Sequence, residues 1–290
     1  MSQLLASQKL VFIGAGSMAE AIIRGLTHQK KVATDQIHVM NRSNRGQLNE
    51  LQTRYSIQVC SDLQLKENVI RQANIVILAM KPKDAPKAFA ELRHLLTKEM
   101  LIISVIAGLS IETMQDLLQN EMQLVRTMPN TSSSIGLGAT GLSFSDSTTA
   151  IHREIAMEIF CSMGEVSLID ERQFDILTGV SGCGPAYVYY LMEAMISGGI
   201  KGGLSEEMAR QLTVQTVLGA ASMVKFTQEN PADLRRKVTS PNGATQAAIE
   251  TMNLLHFTEA VEKGILRAAE RTGELGEMIR DEALKKEGIQ

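Results

Sequence analysis

Lys9-Leu-Val-Phe-Ile13 runs directly into Gly14-Ala15-Gly16-Ser17-Met18-Ala19, and a helix-period stretch from Met18 to Leu26 follows. An apolar strand, a turn spaced G-x-G-x-x-A and a helix form the context in which that spacing acquires meaning. Gly14 permits the tight turn, Gly16 lets a pyrophosphate approach the backbone, and Ala19 lets helix pack closely on strand. The phosphates would then sit at a helix N-terminus, where unpaired N–H groups and the dipole favour anions. The bland alternative is a turn whose glycines serve packing alone.

Outward from this turn, apolar runs recur with helical stretches between them. Residues 36–40, 74–79, 100–105, 124–128 and 140–144 read as further strands, and 46–55 and 83–96 as helices. Continuous apolar strands separated by helices imply a parallel sheet covered on both faces. After the polar stretch 143–150 (SFSDSTTA) the pattern changes, and from Pro185 helix-period segments dominate. Met208 to Lys225 keeps apolar or small residues near one face, and Asn253 to Lys286 carries a long helical pattern expected to break or bend near Gly264 and Gly273. The expected architecture is therefore α/β. A Rossmann-type, doubly wound, mostly parallel sheet occupies residues 1–165, and an all-α domain occupies 166–290. The small residues and methionines of the second half suggest an intertwined dimer.

The end of the second strand bears on which dinucleotide is bound. An NAD site usually places Asp or Glu there. Asp35 precedes the strand, whose far end is Met40-Asn41-Arg42-Ser43 and carries no carboxylate. An amide, a guanidinium and a hydroxyl suit a 2′-phosphate, which favours NADPH, with NADH weaker. Solvated loop residues are the alternative. Later strands end at Ala79-Met80-Lys81-Pro82, Ala107-Gly108 and Pro129-Asn130-Thr131, where a doubly wound sheet lines its cofactor crevice.

Composition narrows the class without naming an activity. With 29 Lys+Arg against 32 Asp+Glu and no basic cluster, no nucleic-acid or anionic-membrane partner is expected. Three cysteines without metal or redox spacing point to free thiols in a reducing compartment. No metal site, signal segment or membrane span is expected, so the chain reads as cytoplasmic.

Two segments of the second half stand out. Ser181-Gly-Cys-Gly-Pro-Ala-Tyr187 and Thr239-Ser-Pro-Asn-Gly-Ala-Thr245 are glycine-rich turns that enter helices. Each offers backbone N–H groups and short hydroxyls suited to a small carboxylate, or serves only as a helix cap.

Together with Phe12-Ile-Gly-Ala-Gly-Ser-Met-Ala-Glu-Ala21, Met80-Lys-Pro82 and the run from Pro231 through Leu234, Val238, Thr239, Ser240, Gly243, Thr245 and Ala248 to Ile249, these segments resemble the pyrroline-5-carboxylate reductases. The resemblance covers nearly the whole chain. It implies reduction of the C=N bond of 1-pyrroline-5-carboxylate to L-proline, and a helical domain that interlocks two subunits, sometimes built into larger rings. By resemblance Ser240, Asn242, Gly243, Ala244 and Thr245 hold the substrate, with Thr245 and Ser240 as the catalytic candidates. Ser181 and Glu171 fall at further substrate positions, although Glu171 also suits a helix start. Lys237 falls where the family reaches the cofactor. Cys183, Asn242, Ser132 and Ser17 depart from the residues usual in the family. If position 242 has a positive φ, Asn is the best-tolerated substitute for the usual Gly. The rival readings are an NADPH reductase of another imine or carbonyl acid, and a non-catalytic NADPH-binding sensor.

Overall fold

The computed structural model describes residues 3–60 and 62–287. The chain opens with a short helix α1 (Gln3–Ala6), followed by β1 (Leu10–Ile13), α2 (Ser17–His28), β2 (Ile37–Met40), α3 (Arg45–Tyr55), β3 (Gln58–Cys60), α4 (Leu63–Arg71) and β4 (Ile75–Leu78). Then come α5 (Ala85–Leu92), β5 (Leu101–Ser104), α6 (Ile111–Leu118), β6 (Gln123–Met128), β7 (Gly138–Phe144), α7 (Ala150–Cys161) and β8 (Gly164–Leu168). The remainder is helical: α8 (Phe174–Leu177), α9 (Gly184–Lys201), α10 (Glu206–Thr227), α11 (Pro231–Lys237), α12 (Ala244–Leu254) and α13 (Phe257–Glu287).

The strands form one sheet in the order β3-β2-β1-β4-β5-β6-β7-β8. All neighbours are parallel except β6 and β7. The order reverses at β1, so the crevice at the carboxyl ends of β1 and β4 is the topological switch point where such sheets bind ligands. This is the Rossmann-type, doubly wound, mostly parallel sheet expected above.

Alternation along β1 divides the core. Leu10 and Phe12 pack into one layer with Ile22, Ile23 and Leu26 of α2 and Phe160 of α7. Val11 packs into the other with Phe89 of α5, Met114 of α6 and Ile279 of α13. Each fully buried side chain of this kind contributes roughly 1.5–3 kcal/mol, which is why a strand of four residues holds its place.

Two strands were not expected. β3 has three residues and no apolar run, and β8 is an edge strand whose residues are largely exposed. The expected boundary between residues 165 and 166 falls inside β8. Two compact units are present, one comprising Met1–Cys183 with Arg267–Gln290 and the other Gly184–Leu266. Of the break or bend expected near Gly264 and Gly273, no break occurs, because α13 runs uninterrupted through both. At Gly273 a Cβ would lie 3.2 Å from Asp175 Oδ2. The glycine serves close packing there and does not end the helix. Among the described residues no helix is long and apolar enough to cross a membrane.

Candidate active site

The glycine turn is built as its spacing implies. Gly14 has φ +117°, and its N–H donates to Met40 O at 2.8 Å. A Cβ on Gly14 would lie 2.3 Å from Ala79 O, so the turn is pressed against the end of β4. Both the backbone angle and the space require glycine. Gly16 caps α2 with extended backbone and no side-chain capping bond, and a Cβ there would meet nothing within 4 Å. The space beside Gly16, at the N-terminus of α2, is thus clear, and a pyrophosphate would fit there. Ala15 and Ala19 are buried, leaving the backbone as the binding element.

Asp35 lies ahead of β2, in a single helical turn, and Asn41, Arg42 and Ser43 follow the strand. Asn41 Nδ2 donates to Asn44 O at 2.6 Å, and Lys66 of α4 donates to Asn41 O at 2.9 Å. Arg42 Nη1 pairs with Asp84 Oδ1 at 3.2 Å. Lys66 and Asp84 were not singled out in the sequence. On an amphipathic helix Lys66 looks like any solvated charge, and Asp84 looks like the cap of α5.

Ala79 to Pro82 follow β4 and lead into the turn Pro82–Asp84. Ala107 and Gly108 follow β5, and Gly108, with φ +77°, faces the backbone of α13 at Gly276. Asn130 follows β6 and links two expected site segments, its Nδ2 donating to Ser181 O at 3.1 Å. Ser181 sits in a wide turn, Thr178–Gly182, where Cys183 N donates to Thr178 O at 2.8 Å. Single wide turns of this kind recur at functional sites. The Ser181 hydroxyl donates to Leu177 O, so the turn offers its backbone more than its side chain.

Glu171 is occupied within its own unit. Its Oε1 accepts from Ile111 N at 2.6 Å, at the start of α6, and from Arg126 Nη1 at 3.3 Å. Arg126 is only 7% exposed, also faces Asp175 at 3.6 Å, and lies 4.6 Å over the Phe174 ring. The carboxylate offered to a substrate nitrogen thus already caps a helix and balances a buried cation. Arg126 went unnoticed, although a guanidinium inside the strand Leu124-Val-Arg-Thr-Met128 was the visible signal.

In the helical unit, Ser240 to Gly243 form a turn closed by Gly243 N donating to Ser240 O at 3.0 Å. Asn242 has φ +58°, the left-handed backbone for which Asn best replaces Gly. Its N–H donates to Gln246 Oε1 at 2.8 Å. Gly243 caps α12, and a Cβ there would lie 2.5 Å from Ser240 Oγ. Ala244 and Thr245 are exposed in the first turn of α12, and Lys237, at the end of α11, pairs with Glu229. The geometry is an exposed helix N-terminus flanked by two hydroxyls, suited to a small carboxylate.

Comparison with known proteins extends across the chain. Residues 171–275 match the family model for pyrroline-5-carboxylate reductase dimerisation, and residues 9–108 match that for NADP oxidoreductase, coenzyme F420-dependent. Pyrroline-5-carboxylate reductase 1 of Bacillus subtilis is 40% identical over 289 residues, covering 100% of this chain and 96% of the relative. The solved structure of a pyrroline-5-carboxylate reductase from Coxiella burnetii superposes with TM-score 0.85 at 33% identity, covering 93% of this chain and 98% of that one. That of the Plasmodium falciparum pyrroline carboxylate reductase with NADP bound has TM-score 0.84 at 28% identity, covering 94% and 99%. With both turns built as described and relatives matching end to end, the chain belongs to the pyrroline-5-carboxylate reductase family.

Proposed function

We propose that this chain reduces the C=N bond of 1-pyrroline-5-carboxylate to L-proline with NADPH, and with NADH more weakly. Family membership makes it an oxidoreductase acting on the CH–NH group of a cyclic imino acid, in proline biosynthesis. The observation that carries the reading is the end-to-end match to such reductases, which spans both the glycine turn and the Ser240–Thr245 turn.

In this reading Gly14 to Ala19 and the α2 N-terminus hold the pyrophosphate. Asn41, Arg42 and Ser43 meet the 2′-phosphate, and Ala79 to Pro82, Ala107, Gly108 and Asn130 line the rest of the crevice. Lys237 contributes from the helical unit. NADPH, when bound, supplies hydride from its nicotinamide ring. The protonated imine is already a good electrophile, so the chain's residues need mainly to align it within about 3–3.5 Å of the donor. Ser240, Asn242, Gly243 and Ala244 hold the carboxylate, while Thr245 hydrogen-bonds the ring nitrogen and handles its proton. Ser181 supports the substrate through its backbone. Glu171 acts at one remove, by fixing α6 and Arg126.

The helical unit leaves large apolar side chains exposed, among them Tyr190 at 77%, Phe226 at 85% and Leu254 at 79%. Apolar exposure of this kind marks an interface. We assign it to a homodimer, with higher assembly as in the family, of a cytoplasmic protein without nucleic-acid or membrane partners. Purified protein should consume NADPH absorbance rapidly on addition of 1-pyrroline-5-carboxylate, and NADH more slowly. NADPH binding without turnover would overturn the substrate assignment and leave the cofactor site standing.

A further inference from the structure

Arg42 and Asp84 are joined across the two strand ends that flank the glycine turn. β2 and β4 lie on either side of β1, and the 3.2 Å pair links the loop after β2 to the turn after β4. Asp84 occupies the N-cap position of α5, where an aspartate ordinarily accepts an N–H of its own helix. It makes no such bond. Its carboxylate reaches Arg42, forty-two positions earlier in the chain. Arg42 is otherwise exposed, and among the described residues no other carboxylate is paired with it.

We infer that Asp84 is a specificity-determining residue that holds down the preference for NADPH over NADH. The inference rests on the assignment of Arg42 to the 2′-phosphate. A 2′-phosphate carries up to two negative charges and seeks the guanidinium whose Nη1 Asp84 already engages. A phosphate contact through Nη1 competes with Asp84, and a phosphate held by the remaining N–H groups has the carboxylate beside it. NADH carries a hydroxyl there, so neither charge effect opposes it. The chain thus places in the turn after β4 the acid that NAD sites carry at the end of β2, and uses it against its own arginine.

The test is the dissociation constant of NADPH and of NADH, by fluorescence titration, for the parent, Asp84→Asn and Arg42→Ala. Asp84→Asn keeps size and removes charge. It should tighten NADPH by roughly three- to fivefold, the scale of an exposed ion pair. NADH should change by less than about twofold, within the range of a surface substitution. High salt should shrink the NADPH gain, because exposed charges are screened. Arg42→Ala should weaken NADPH and spare NADH. If it weakens both alike or neither, the 2′-phosphate assignment fails and the inference falls with it. If Arg42→Ala behaves as expected but Asp84→Asn leaves the NADH/NADPH ratio unchanged or lowers it, the role of Asp84 alone is overturned.

Discussion

Gly108 and Gly276 stand backbone against backbone. A Cβ on Gly276 would lie 2.6 Å from Gly108 O, and one on Gly108 would lie 3.2 Å from Gly276 N. The turn after β5, which we propose lines the cofactor crevice, therefore rests on the last helix, anchored nearby by buried Thr272 and Ile279. Gly276→Ala should cost about 1–3 kcal/mol by overpacking. Gly108→Ala should cost roughly 1–2 kcal/mol more, because an L side chain resists its positive φ. Urea denaturation gives both values. Both variants should also bind NADPH more weakly, and unchanged NADPH affinity would remove Gly108 from the crevice wall.

The two glycines of the first turn should separate fold from binding. In Gly14→Ala the new Cβ would overlap the carbonyl of Ala79, so stability and NADPH binding should fall together. In Gly16→Ala it meets no protein atom within 4 Å, on an ordinary backbone. Unfolding free energy should stay within about 0.5 kcal/mol of the parent. The methyl group would nevertheless stand where the pyrophosphate approaches, and NADPH affinity should drop by about tenfold or more, on the order of 1.4 kcal/mol. A Gly16→Ala protein that binds NADPH normally would show that the turn is only a packing device.

Arg126 tests the role of Glu171. Replacing Arg126 by Met strips the cation from Glu171 and Asp175. Breaking a fully buried pair costs about 3–5 kcal/mol. The carboxylate side chains here are 29% and 43% exposed, so the expected loss is about 1–3 kcal/mol. Glu171→Gln keeps an acceptor for Ile111 N and loses the charge. It should lower the melting temperature and change KM for 1-pyrroline-5-carboxylate by less than about twofold, since about 1.4 kcal/mol of lost binding would be needed for tenfold. A large rise in KM at unchanged stability would return Glu171 to the substrate.

Much of this arrangement was legible because it depends on local pattern. Leu10 to Ile13 and the G-x-G-x-x-A turn specify strand, turn and helix within a dozen residues, and Asn242 sits where its tolerance for a left-handed backbone is needed. What stayed hidden depends on contacts far apart in sequence. Nothing near Gly276 says that it meets Gly108, and Gly264 and Gly273 read as a break or bend in a helix that runs on through both. Glu171 read as a substrate position or a helix start, and its partners, Ile111 and Arg126, lie 60 and 45 positions away. β3 and β8 lacked an apolar run because one is very short and the other lies at the sheet edge.

His38 should make the fold acid-sensitive. It lies on β2 beside Val11, its Nδ1 is buried without a hydrogen-bond partner, and burial, aided by Lys9, holds its pKa below the ordinary 6.5. With a lower pKa in the folded state, the unfolded chain takes up protons first as the pH falls. The stability from neutral His38 is complete above 6.5 and is lost as the pH falls from there through the folded value. His38→Val, which suits a strand, should flatten the drop in unfolding free energy measured from above 6.5 down through the folded value. His152, also lowered by burial, should leave some residual slope. A variant with the parent's full slope would clear His38 of the effect.

Asn242 tests whether the proposed substrate turn works through its backbone. The residue contributes a positive φ and an N–H to Gln246 Oε1, and both are backbone properties. Asn242→Gly keeps both, so kcat and KM for 1-pyrroline-5-carboxylate should move by less than about twofold, the small penalty expected where Gly fits the backbone. Asn242→Val asks a β-branched residue to hold a left-handed backbone, at a cost of at least about 1–2 kcal/mol. The turn should then relax toward negative φ, withdrawing Gly243 N from Ser240 O and shifting Ser240 against the start of α12. KM should rise several-fold while NADPH affinity holds, since the turn proposed for the pyrophosphate lies in the other unit and Lys237 lies outside the Ser240–Gly243 turn. If Asn242→Gly alone raised KM tenfold, the Asn242 side chain itself would be a substrate contact, and the turn would bind by more than its backbone.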